Sequence, residues 1–197
     1  MLLGKEAMTK VGSILDPDST ILDIGSGVNN PVNTWFTEQG FVVDTVDFKG
    51  EPTYKGDYNQ LEITKEYDCV WSCHCLEHQL NVNSFLKKVH SNIKEGGLAA
   101  ITVPPLKHQI VSGHVSLWNA GLLLYNLVLA NFDCSSAKVL KYGYNISVIV
   151  KKRTITLPKD LTYNEGDLIR LEPYLPYRFL KKGPANSFNG DIHRLNW

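Results

Sequence analysis

The chain has 197 residues, 43% of them hydrophobic and 20% charged, with twenty basic side chains balanced by twenty acidic ones. This length suits one domain with a full core, and a formal charge of zero excludes the global basic field that nucleic acid or an anionic membrane would call for. The opening MLLGKEAMTK has neither the apolar core nor the cleavage site of a signal peptide.

The longest apolar run, AGLLLYNLVLANF, is too short to span a bilayer. Cys69, Cys73 and Cys75 lie within seven residues, unlike the spaced cysteines of a secreted disulfide framework. The expectation is a reduced, cytoplasmic protein with no membrane span and no nucleic-acid partner. The sequence leaves room for a homodimer.

In chain order, residues 5–15 place Ala7, Met8, Val11, Ile14 and Leu15 on one helical face, and DPDST ends that helix. A strand follows over 20–24, then the turn GSG. Asn30-Pro31 reads as an N-cap with proline in the first turn, opening a helix that runs to Gln39 and stops at Gly40. FVVDTVD at 41–47 is a second strand and 68–73 a third.

Residues 81–94 form an amphipathic helix with Val82, Phe85, Leu86, Val89 and Ile93 on its stripe, closed by the following EGG. LAAITV at 98–103 is a buried strand, ended by two prolines. Residues 120–131 are apolar nearly all round and predict a buried helix. Two strands, 137–142 and 146–153, close the pattern through YGYN as an antiparallel hairpin.

Strands alternating with helices predict a mostly parallel sheet covered on both faces. Residues 1–155 read as one ligand-binding domain and 156–197 as an irregular extension packed on it.

The stretch ILDIGSGVNN carries the first functional signal. A glycine turn after a buried strand lets backbone approach a ligand at the carboxyl edge of a parallel sheet. Two cofactors fit such a turn. A dinucleotide asks for G-x-G-x-x-G and an acid about twenty residues on; Gly25, Gly27 and Asp47 match, but Asn30 stands at the third glycine.

S-adenosyl-L-methionine has no pyrophosphate and carries a cationic ammonium and sulfonium, so the third glycine matters less and the carboxylate of Asp23 helps. Asp47 can accept two ribose hydroxyls, and Asp57-Tyr58 offers a carboxylate and a ring for adenine.

Together ILDIGSG, VDTVD, GDYNQL, YDCVWSCHCLEH and IKEGGLAAITVPP resemble, in order and spacing over residues 18–152, the class I S-adenosylmethionine-dependent methyltransferases. The resemblance implies a Rossmann-like three-layer sandwich around a seven-stranded, mostly parallel sheet with an antiparallel last strand. It implies Asp23, Gly25, Ser26 and Gly27 at the methionine end, and Asp47 with Phe48 at the ribose. Asp57 and Tyr58 would border adenine, and Ser72 and Cys73 the methyl-transfer face.

A further glycine common in the family's first block is Asn29 here. The block after the fourth strand reads SCHC, unlike that of the nucleobase N-methylating branch. LEH, TVPP and GHVSLW resemble the small-molecule branch, and imply O-methylation of a metabolite such as a sugar or surface-polysaccharide precursor.

Deprotonating a hydroxyl acceptor suits histidine. His74, His78, His108 and His114 all follow the strands that end at the ligand edge, and His114 and His78 are the candidate bases. CHCLEH also resembles a metal cluster, but Cys73 and Cys75 leave a strand on opposite sides and no second ligand pair follows, so no metal is expected. Lys151, Lys152 and Arg153 read as a solvated strand end, and Lys181-Lys182 as a solvated loop, with an anionic acceptor as the alternative.

Overall fold

The central strand β1 (Thr20–Ile24) lies between β2 (Val42–Asp47) on one side and β4 (Tyr67–Cys73) on the other, both parallel to it. This is the point where strand order reverses. The computed structural model describes residues 3–164, 166–176 and 187–197. These form an eight-stranded sheet, with β3 (Tyr54–Lys55) outside β2 and, beyond β4, β5 (Ile93–Val103), β7 (Asn145–Lys151), β6 (Lys138–Tyr142) and β8 (Arg194–Leu195).

The parallel strands β3-β2-β1-β4-β5 give way to β7, which runs antiparallel to both β5 and β6. The expected hairpin is therefore present. The expected seven strands are corrected to eight, because β8 adds the chain's last residues to the edge of β6.

Helices cover both faces. α1 (Lys5–Gly12) and α2 (Pro31–Glu38) bury Met8, Val11 and Phe36 against Ile21, Cys69, Trp71 and Ala100. α3 (Val82–Ser91) and α4 (Ala120–Leu129) bury Phe85, Leu86, Leu123 and Leu127 against Leu22, Val70, Ile101 and Val148. Alternate residues of β1 and β4 thus feed opposite cores, which is the period-two logic of a strand covered on both sides.

The apolar pattern of α4 matches its burial except at Leu122, which is exposed. Leu123, Leu124 and Leu127 are fully inaccessible, and each contributes about 1.5–3 kcal/mol of transfer free energy.

Local chemistry sets the boundaries. Asn30 caps α2 by accepting from the Asn33 N–H at 2.9 Å, with Pro31 opening the helix. The EGG segment does not close α3, as expected from sequence, but lies inside β5. The helix stops at Asn92 because that buried side chain is engaged elsewhere: it donates to the Ile63 and Lys65 carbonyls and accepts from the Tyr58 hydroxyl. Gly97 then passes so close to the Asp68 carbonyl that a Cβ would lie 2.8 Å from it.

Lys152, expected in water, is buried and donates to the Ile93 carbonyl at 2.6 Å. Lys181-Lys182 lies outside the described residues. No helix among the described residues is long and apolar enough to cross a membrane.

The C-terminal residues 187–197 return to α4 and β6. The Gly121 N–H donates to the Gly190 carbonyl at 2.9 Å, and Gly121 and Gly190 pack so closely that a Cβ on Gly121 would lie 2.5 Å from the Gly190 Cα.

Candidate active site

β1 delivers Asp23 and Ile24 to the switch point, and the chain then turns through Gly25-Ser26-Gly27. Gly25 and Gly27 have φ of 78° and 73°, a region that only glycine enters at low cost. Space at Gly25 is also tight, since a Cβ would lie 3.2 Å from the Cβ of Cys75.

The turn is held from β2: the N–H groups of Gly25 and Ser26 donate to the Val46 carbonyl, and that of Gly27 to Asp47 Oδ2 at 2.8 Å. The other Asp47 oxygen accepts from Lys49 N–H at 2.9 Å. Asp47 therefore latches the glycine turn, and each oxygen keeps a lone pair for a further donor.

Gly25 lines two cavities. One, of about 270 Å³, is bordered by Leu3, Asp23, Ser26, Val32, Trp71 and Cys73. The other is bordered by Val46, Asp47, Phe48, Asp57, Tyr58 and Gln79. In the first, Asp23 is buried and its Oδ2 has no hydrogen-bond partner. Burial, with the charge of Asp47, pushes its carboxyl up to about 7. A buried acid without a partner is costly, and one aimed at a ligand cavity is suited to a cationic group.

The remaining predicted residues divide. Phe48 is 68% exposed at the rim of the second cavity. The Asp57 carboxylate turns on Asn59, accepting from its N–H and its side-chain amide, and Asn59 in turn donates to Gln79. Tyr58 borders the cavity but is mainly a core residue, edge-on to Phe85 at 5.3 Å with its hydroxyl on Asn92 at 2.8 Å.

Cys73 lines the first cavity. Ser72 is fully buried, and strand alternation puts its side chain on the opposite face. Burial pushes the Cys75 thiol up to about 12 and that of Cys73 higher still, so neither is a thiolate near neutral pH.

Beyond β4 the chain makes a single 3-10 turn, Leu76–His78, which carries the histidine chemistry. Glu77 is completely buried, and neither carboxylate oxygen receives an aligned hydrogen bond. His74 Nδ1 stands 3.3 Å from Glu77 Oε1, and His74 Nε2 is 3.0 Å from Asn145 Oδ1. Burial pushes the His74 pKa down, but Glu77 and Asn145 outweigh it and the net direction is up.

The loop between β5 and α4 closes over Glu77: Val115 N–H donates to the Glu77 carbonyl at 2.9 Å, and Gly113 carbonyl meets His78 Nδ1 at 2.7 Å. The His78 and His114 rings stand edge to face with centroids 5.0 Å apart. The structure thus brings the two candidate bases together. His108 is exposed, outside this contact. Exposed apolar side chains, among them Leu80, Leu106, Ile110, Val115 and Leu117, sit on the loops at this edge.

Sequence reasoning missed Glu77 and Gln79. Their signal was present in LEHQ, but nothing in the spacing shows that Glu77 is buried.

The model of the methyltransferase domain matches residues 5–136. The chain belongs to the methyltransferase-domain family. S-adenosyl-L-methionine is the methyl donor this family uses. Solved structures agree on the fold. The 1,6-didemethyltoxoflavin-N1-methyltransferase of Burkholderia thailandensis, with bound 1,6-didemethyltoxoflavin and S-adenosylhomocysteine, is 19% identical over 76% of this chain and 79% of that one, with a TM-score of 0.61.

A methyltransferase of Aquifex aeolicus is 14% identical over 76% and 89%, TM-score 0.61. A TehB-like methyltransferase of Corynebacterium glutamicum is 15% identical over 75% and 88%, TM-score 0.58. No curated protein matches the sequence. The dinucleotide alternative is set aside by the family, and Asn30, which stood at the third glycine of that fingerprint, serves as the N-cap of α2.

Proposed function

We propose that this protein transfers a methyl group from S-adenosyl-L-methionine to a hydroxyl of a small metabolite, with a sugar or surface-polysaccharide precursor as the first acceptor class to test. The buried, unpartnered Oδ2 of Asp23 in a cavity beside the glycine turn carries the cofactor half of this reading. The residues present fit the donor: a carboxylate for the methionine ammonium, a Cβ-free turn at Gly25, and a second cavity bounded by Asp47, Phe48 and Asp57 for the adenosine.

Bound there, the donor would supply an activated methyl on a sulfonium. The protein's share is then orientation. Asp23 holds the cationic end, Gly25 and Ser26 let the backbone approach, and Asp47 takes the ribose hydroxyls while keeping the turn in shape. Phe48 and the Tyr58 edge flank the base, and Cys73 borders the reacting end. His78 and His114, on the loops above, face the acceptor and can hold or take its hydroxyl proton.

The reading of residues 156–197 as an irregular extension packed on the domain, with a lid, an acceptor wall or a dimer contact as its role, belongs to the same proposal; the packing of residues 187–197 on α4 supports it.

The test is titration of the protein with S-adenosylhomocysteine beside Asp47→Ala, followed by mass spectrometry of a panel of hydroxylated acceptors. Micromolar binding lost in the variant, and a product heavier by one methylene unit, is the expected result. An intact, folded protein that does not bind would overturn the cofactor assignment. Methylation only at nitrogen would overturn the acceptor assignment.

A further inference from the structure

Glu77, His78 and His114 come from two separate segments, yet one potential ligand atom of each lies within 4.8 Å of the others. We propose that they form a binding site for one divalent first-row cation, of the zinc or manganese type, at the lip of the cofactor groove.

Three independent features support it. First, Glu77 is wholly buried with both oxygens lacking a hydrogen bond. A carboxylate so placed is costly without a counter-charge; His74 Nδ1 approaches only one of its oxygens, Oε1, at 3.3 Å and is shared with Asn145 through its other nitrogen, which leaves Oε2 without a partner.

Second, the His78 tautomer is set. Its Nδ1 sits 2.7 Å from the Gly113 carbonyl, which can only accept, so Nδ1 carries the proton and donates. Nε2 then presents its lone pair, 3.9 Å from Glu77 Oε1. A backbone carbonyl bound to the far nitrogen is how metal-ligating histidines are oriented. Third, the loop that carries His114 is tied to Glu77 itself, through Val115 N–H to the Glu77 carbonyl at 2.9 Å.

Two imidazoles and one carboxylate leave coordination positions open; the imidazoles suit zinc, and the carboxylate with open water positions also admits manganese. Bonds of about 2.1 Å require ligand atoms about 3.4 Å apart. The partly exposed His114 ring can close that gap by swinging towards Glu77.

The cysteines of CHCLEH take no part: Cys73 and Cys75 line different cavities. The site stands beside the groove because Cys75 and Gln79, which flank Glu77 and His78 in sequence, both line the cavity that holds Asp47. With the cation held, His78 and His114 act as ligands in place of bases. That the open positions receive the acceptor's hydroxyl oxygens rests on the proposed function; the cation site itself does not.

The test is equilibrium binding of Mn²⁺, followed by loss of its free-ion EPR signal, and of Zn²⁺ by titration calorimetry, on the metal-stripped full chain. One ion per chain is expected. Affinity should fall 10-fold or more in His78→Gln and in His114→Ala, and be unchanged in His108→Gln. Circular dichroism and S-adenosylhomocysteine titration on the same samples report folding and the cofactor site separately.

Stoichiometric binding that survives both His78→Gln and His114→Ala would overturn the site, as would no binding by a folded protein. In the latter case, retained S-adenosylhomocysteine affinity would leave the methyltransferase reading standing.

Discussion

Replacing Asp23 by Asn should stabilise the protein and weaken its cofactor at the same time, and pH should reveal why. The Asp23 carboxyl is buried beside Asp47 and pushed from the ordinary 3.8 to about 7. A folded-state pKa above the unfolded one means the native state holds the proton more tightly than the unfolded chain does. The stabilisation from that proton is complete below the unfolded pKa and is lost as pH rises through about 7.

At about 1.4 kcal/mol per pH unit of displacement, the native state is worse off by roughly 4 kcal/mol once Asp23 is ionised. Asparagine removes the titration. Integrated between about pH 5 and pH 8, its advantage over the wild type should therefore grow by roughly 2–3 kcal/mol. For a chain of this size that is on the order of 5–10 °C in Tm.

Thermal or urea melts at four pH values measure this directly. In parallel, S-adenosylhomocysteine affinity of the wild type should rise from pH 6 to pH 8, as the carboxylate that faces the ammonium ionises. Asp23→Asn should lose 10-fold or more in affinity and most of that pH dependence. A stability difference that stays flat with pH, or a variant that binds as tightly as the wild type, would refute the reasoning.

Other substitutions test the scaffold around this acid. Gly25→Ala should cost about 1–2 kcal/mol from left-handed backbone strain alone, with more from the Cβ forced to 3.2 Å from Cys75, and should abolish S-adenosylhomocysteine binding by calorimetry. Gly121→Ala places a Cβ 2.5 Å from Gly190; hydrogen exchange should show residues 187–197 and the exposed side of β6 losing protection while β1 and β4 keep theirs.

Partial burial pushes Asp68 up, but hydrogen bonds from Thr20 and the ion pair with Lys94 outweigh it and bring the carboxyl down to about 2. Its contribution is present above the unfolded pKa and lost as pH falls through about 2, so Asp68→Asn should be less stable than the wild type at pH 7. The two should converge in acid, a trend that melts from pH 7 to pH 2 can confirm or reject.

The sequence by itself determined what local chemistry controls. A strand with apolar residues on both faces can only be buried on both faces, so ILDI, CVWS and AAITV announced a parallel sheet under two helical layers. Asn30-Pro31 announced a helix start because a side-chain oxygen and a missing N–H solve the same end problem from two sides. Gly25 and Gly27 were legible as a tight turn after β1, because both take the positive φ that glycine enters at low cost.

What lay beyond the reach of pattern was every property set by a distant partner. Arg194 and Leu195 are too few to read as a strand until β6 offers them an edge. Asn92 ends α3 early because the Ile63 and Lys65 carbonyls and the Tyr58 hydroxyl meet it from thirty residues away. The same bond buries most of the Tyr58 ring in the core and leaves its edge on the cavity, and Lys152 is drawn inside by the Ile93 carbonyl.

The meeting of Glu77, His78 and His114 is the fullest case. It depends on the β5–α4 loop folding back onto the turn after β4, fixed by Gly113 and Val115 to groups 35 and 38 residues earlier in the chain. Sequence spacing carries periodicity, and periodicity specifies faces. It cannot specify which loop closes over which buried charge, because that is decided by backbone hydrogen bonds that any residue type can make.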